Sequence, residues 1–106
     1  MDIGILKNYS DLAHDLAQTK RNALEKLQSR QIMAYNGRLF RADAQTINVV
    51  QTFKSQSKTF YMLDTNNNPC HITNPTEFLK LLIERNQETL NAYHQLIEDL
   101  KRKRNV

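Results

Sequence analysis

Apolar residues recur every three or four positions near both ends of the chain, and this period predicts two long amphipathic helices. The first helix is expected to begin at a cap on Ser10 and to run to about Arg30, with residues 1–9 as a separate N-terminal segment. The second is expected from Pro75 to about Arg102, after an N-cap at Asn74 with proline at the first helical position.

The second helix is longer than a domain of 106 residues easily covers. At 1.5 Å per residue, about 28 residues extend about 42 Å. We therefore expect the first helix to pair with it antiparallel and its distal half to meet another chain. The residues predicted to bind a partner are the apolar ones of both stripes: Leu12, Leu16, Leu82, Tyr93, Leu96 and Leu100.

The segment between the helices predicts two β-hairpins and a short helix. Asn36-Gly37 suits a type I′ turn between strands at 32–35 and 38–40, because both central residues of that turn need positive φ. An Asn-rich turn ending at Pro69 separates an aromatic strand, 59–63, from a short strand at 70–72. Asp43 can cap a helix containing Val50, although the β-branched residues there leave a strand as the alternative.

Together these elements predict an α+β fold, in which two long amphipathic helices flank a small core of two β-hairpins and a short helix. Residues 10–106 form a single domain in this interpretation, with a basic tail after the last helix. One phenylalanine from each of several elements is expected to build the centre of the core. These four are Phe40, Phe53, Phe60 and Phe78.

The net charge of +4 comes from the tail, Lys101–Arg104. Without these four residues, 11 basic side chains balance 11 acidic ones. Cations at the end of a helix favour the negative end of its macrodipole, and this is the favoured interpretation. An acidic protein partner and contacts to nucleic-acid phosphates are the alternatives, but no recognition helix accompanies the tail.

The sequence contains no pattern typical of an active site. Cys70 and His71 have no second cysteine or close histidine pair for a zinc site, and they are expected to face opposite sides of a strand. Two glycines in the whole chain do not provide a phosphate-binding loop. We expect no catalytic residue, no metal and no cofactor. No apolar run approaches the roughly 20 residues of a membrane span, so no membrane partner is expected.

The order of signals in the middle of the chain resembles an uncharacterised domain family of bacteriophage and prophage tail modules. The resemblance covers roughly residues 17–100. Its motifs, in chain order, are Asn36-Gly37, Phe40, Asp43, Thr46-Ile47, the aromatic strand with Asp64, Asn67-Asn68-Pro69, Ile72-Thr73 and Glu77-Phe78-Leu79. This chain lacks the tryptophan common in that strand, and its basic C-terminus is outside the pattern.

The resemblance implies a virion or virion-assembly protein and supplies no catalytic residue. We expect a structural protein of the phage tail or baseplate, present in several copies or as a homo-oligomer, which docks to other tail proteins through its helices. The first alternative is a tail-fibre assembly chaperone that is absent from the mature virion. The second is a small basic DNA-binding regulator, which would depend on Lys101–Arg104.

Overall fold

The computed structural model describes the backbone of residues 3–104 and the side chains of residues 14–103. Within those residues, three helices and two antiparallel hairpins confirm the α+β prediction. In chain order the elements are α1 (Ile3–Arg30), β1 (Ile32–Tyr35), β2 (Arg38–Arg41), α2 (Ala44–Gln56), β3 (Phe60–Leu63), β4 (Pro69–Ile72) and α3 (Pro75–Arg104).

The α1 helix begins at Ile3, so the predicted start at Ser10 was wrong. Ser10 lies inside the helix, which therefore includes most of the predicted N-terminal segment 1–9. A serine caps a helix only where the backbone before it leaves the helical conformation. No proline precedes Ser10 to force that departure.

The β1–β2 hairpin closes on Asn36 and Gly37, whose φ values of 51° and 74° provide the predicted positive-φ turn. The β3–β4 hairpin closes on the Asn-rich turn, where Asn67 has φ of 61°. The strands of each hairpin pair antiparallel, with Met33 opposite Phe40 and Tyr61 opposite His71, and each hairpin remains a separate two-stranded sheet.

Both helices that follow the hairpins begin at the predicted caps. The carboxylate of Asp43 accepts a hydrogen bond of 2.8 Å from the backbone N–H of Thr46, so the segment after it is a helix and not a strand. The side chain of Asn74 accepts one of 3.2 Å from the backbone N–H of Glu77. These bonds satisfy N–H groups that have no partner inside their helices.

The core lies between the two hairpins, α2 and the first half of α3. Phe78 stands at its centre, with ring centroids 5.0 Å from both Tyr35 and Phe40 in edge-to-face arrangements. Phe53 and Phe60 instead form a pair at the margin, where Phe53 keeps 37% of its surface exposed. The largest fully buried side chains are Phe40, Phe78, Ile72, Leu82 and Val50.

Candidate docking surfaces on the helix pair

Arg85 joins the end of α1 to the middle of α3. Its Nε donates to the carbonyl oxygens of Arg30, at 3.0 Å, and of Ile32, at 3.2 Å. Its guanidinium also contacts the carboxylate of Glu88 at 3.1 Å. The last carbonyls of a helix have no partner inside it, so Arg85 satisfies one of them and fixes where the two helices meet.

From this contact α1 and α3 run antiparallel, and the second half of α3 lies away from the hairpins. Among residues 14–30 of α1, whose side chains the structure describes, Ala23 and Leu27 are the buried ones, and they share a groove with Thr89, Tyr93 and neighbouring residues of α3. The molecule measures 66 × 24 × 24 Å. It is therefore a small core of hairpins and helices that continues into a long two-helix extension.

The groove between the helices has a volume of about 150 Å³. Small side chains, Ala23 and Ala92, leave this space, because they do not fill the gap between the two backbones. Tyr93 and Leu96 form its apolar wall, and its rim is charged. The charged rim residues are Lys26, Arg30, Arg85 and Glu88. Chemically the groove can receive one apolar side chain of a partner.

A second apolar surface lies outside the groove. Leu24 is 42% exposed and Leu90 is 40% exposed, although each follows a residue buried between the helices. Ile83 and Ile97 lie seven residues before and after Leu90, so all three form one row along α3. The outer row consists of these three residues and Leu24.

Leu82 is not a partner-binding residue, so this prediction was wrong. It is fully buried in the core of its own chain and has no surface to offer. The first half of α3, which contains Leu82, packs on the hairpins and α2, whereas the second half continues the same apolar stripe into the extension. The helical period alone does not show where α3 passes from the core into the extension.

The other predicted residues lie along the extension. Tyr93 and Leu96 come together in the groove, and Leu96 is 39% exposed. Leu16 and Leu100 are each half-buried. The side chain of Leu12 lies outside the described residues. The residues predicted to bind a partner did not include the outer row, although its members belong to the predicted apolar stripes and the seven-residue spacing of those on α3 is visible in the sequence.

The other residues considered for their chemistry are Cys70, His71 and the basic tail. Cys70 is buried and unpaired, whereas His71 faces outward and stacks on Tyr61 with ring centroids 4.7 Å apart. Among the described residues, no group of three or more His, Cys, Asp or Glu side chains could hold a metal ion. In the tail, Lys101 contacts Glu98 at 3.4 Å. No helix in the described part of the chain is both long and apolar enough to span a membrane.

No protein-family model, no curated protein and no solved structure matches this chain. The resemblance to phage tail-module domains therefore stays a prediction, and it rests on the order of motifs between Asn36 and Leu79.

Proposed function

We propose that this chain is a structural component of a bacteriophage tail or baseplate, located in the virion, which docks to neighbouring tail proteins through its α1–α3 extension. The observation that carries the proposal is the groove between the helices. Tyr93 and Leu96 line it but remain accessible, at a level of the extension beyond the hairpin core. The resemblance in the middle of the chain supplies the phage-tail context.

In the proposed mode of docking, a neighbouring tail protein inserts an apolar side chain between Ala23 and Ala92. Insertion removes Tyr93 and Leu96 from water, which favours association at roughly 25 cal/mol per Å² of apolar surface buried. The charged rim then sets the orientation, since Lys26 and Glu88 stand on different helices and attract opposite charges.

Mass spectrometry of purified, salt-washed phage particles tests the function. The expected result is that the chain is present at a fixed copy number per particle. Absence of the chain from particles, together with its abundance in infected cells, overturns the proposal and favours the assembly chaperone.

A substitution tests the groove in the same particles. Leu96→Asp places a charge where an apolar contact is proposed, so the folded variant is expected to be lost from particles. Leu39→Asp is the matched control, because Leu39 is an exposed leucine on the β1–β2 hairpin, remote from the groove. Circular dichroism of both variants checks that they fold. Normal incorporation of Leu96→Asp would show that the groove is not the docking surface.

A further inference from the structure

We infer that the outer row binds a second copy of this chain, so that two α1–α3 extensions form a four-helix dimer. The inference goes beyond the proposed tail function, because it concerns the side of the extension opposite the groove and needs no phage protein.

Leu24 and Leu90 lie on the same side of the helix pair. Each immediately follows a residue buried between the helices, Ala23 on α1 and Thr89 on α3. In an antiparallel pair of right-handed helices, the residue that follows a buried contact residue on one helix points to the same side of the pair as the residue that follows a contact residue on the other helix. Neither leucine lines the groove, whose borders are formed instead by residues such as Lys26 and Glu88.

Leu24 and Leu90 also lie at nearly the same height along the extension. Arg30 and Arg85 mark a common level, because the Nε of Arg85 donates to the carbonyl oxygen of Arg30. Leu24 lies six residues before Arg30 in α1, and Leu90 lies five residues after Arg85 in α3. Because the two helices are antiparallel, these are displacements of about 9 Å and about 8 Å in the same direction.

A second copy fits this surface better than an unrelated protein because the surface is self-complementary. With a two-fold axis parallel to the helices, α3 of each copy lies beside α1 of the other copy. Leu24 of one copy then packs on Leu90 of its partner, and the reverse contact forms by symmetry. Every neighbouring pair of helices in this bundle is antiparallel.

The charges of the two helices agree with this arrangement. Residues 14–30 of α1 include four basic and two acidic side chains, whereas residues 85–101 of α3, which lie at the same levels, include three acidic and two basic. Lys20 lies one turn before Leu24, and among the described side chains neither Lys20 nor Arg21 forms an ion pair. Placing α1 beside the partner's α3 brings opposite net charges together.

The area is sufficient for a dimer. The shared length of the two helices, about 25 Å, and the combined width of two helices, about 20 Å, give a face of about 500 Å² per copy. Two such faces bury about 1,000 Å², which is near the lower limit for a specific interface. We therefore expect a dimer that dissociates on dilution.

Sedimentation equilibrium of the purified full chain tests the inference. The wild type is expected to be a concentration-dependent dimer, and Leu90→Glu is expected to weaken self-association by more than about tenfold. Leu96→Glu is the matched control, because Leu96 is a leucine of the same helix with nearly equal exposure on the other side. A monomeric wild type, or equal weakening by both variants, overturns the inference.

Cross-linking tests the arrangement of the copies. When a Leu24→Cys chain is mixed with a Leu90→Cys chain and oxidised, disulfide-linked dimers of the two chains are expected to predominate over dimers of either chain alone. Predominant Leu90→Cys homodimers would instead place the two α3 helices side by side and overturn the arrangement.

The dimer and the tail function can be refuted independently of each other. A monomeric chain found at fixed copy number in particles refutes only the dimer. A dimer that is absent from salt-washed particles refutes only the tail function.

Discussion

The guanidinium of Arg38 lies 3.5 Å from the carboxylate of Asp64 and joins the turn regions of the two hairpins. The same guanidinium donates a hydrogen bond of 2.8 Å to the carbonyl oxygen of Pro69. Between the hairpins, the backbone N–H of Thr65 donates to the carbonyl oxygen of Leu39 at 2.9 Å. Two separate two-stranded sheets are thereby held as one unit, although no strand of one pairs with a strand of the other.

Asp64 also builds the turn that follows β3. Its Oδ1 accepts hydrogen bonds of 2.9 Å from the backbone N–H groups of both Asn66 and Asn68. The side chain of Asp64 is only 5% exposed, whereas that of Arg38 is 40% exposed. The buried carboxylate is therefore the more important member of the pair, because its removal leaves several donors without an acceptor.

Asp64→Ala is expected to lower the free energy of unfolding by about 2–3 kcal/mol, since several hydrogen bonds to a charged group are lost and their partly buried donors remain. Arg38→Ala is expected to cost only about 0.5–1 kcal/mol, because the guanidinium is partly solvated. Urea denaturation of both variants measures the difference. Asp64→Asn is the control, and it should fall between them because its amide oxygen can still accept. Equal losses for Asp64→Ala and Arg38→Ala would contradict this account.

Gly37→Ala is expected to cost about 1 kcal/mol through the backbone alone. Gly37 has φ of 74°, and a Cβ added there meets no atom within 4 Å. Steric conflict with neighbouring residues is thus excluded as a cause. Gly37→Asn should recover part of the loss, because asparagine tolerates this conformation better than alanine. Thermal unfolding followed by circular dichroism checks the order glycine, asparagine, alanine; an alanine variant as stable as the wild type would refute it.

The turns and caps were predictable from sequence because each depends on chemistry within a few residues. Asn36-Gly37, Asp43 and Asn74 each fix a local backbone conformation or satisfy a nearby N–H, whatever the rest of the chain does. The start of α1 was not predictable in the same way. Ser10 is a good cap residue in a position where the helix simply continues.

The docking surfaces were less predictable than the elements that carry them. Leu82 and Leu96 are both leucines of one apolar stripe, yet Leu82 is fully buried and Leu96 is substantially exposed. The difference arises because the hairpins and α2 cover only the first half of α3. Which half of a helix is covered depends on contacts between distant parts of the chain, and the helical period carries no information about them.

This contrast gives a stability prediction. Leu82→Ala is expected to lower the free energy of unfolding by about 2–5 kcal/mol, because it leaves a cavity in the core. Leu96→Ala is expected to cost less than about 1 kcal/mol, since little apolar burial is lost at an exposed position. The two variants are matched in residue type and helix, and chemical denaturation compares them directly. A larger loss for Leu96→Ala would place Leu96, and not Leu82, in the core.

The basic tail separates the tail protein from the DNA-binding alternative. Replacing Lys101–Arg104 with glutamine removes all four cations of the tail at the C-terminal end of α3. Each substitution removes a favourable interaction with the helix macrodipole. Such interactions are weak for exposed side chains and are screened by salt, so we expect a small loss of stability and unchanged incorporation into particles. This substitution leaves the groove, the outer row and the core intact.

Fluorescence anisotropy with a labelled DNA duplex completes the test. Four cations release few counterions, so the wild type should bind only at low salt and without preference for sequence, with a slope of log K against log salt no steeper than about −4. The glutamine variant should lose this binding. Tight, sequence-dependent binding that persists in about 0.2 M salt requires base contacts that a flanking cation cluster does not supply. That result would favour the regulator over the tail protein.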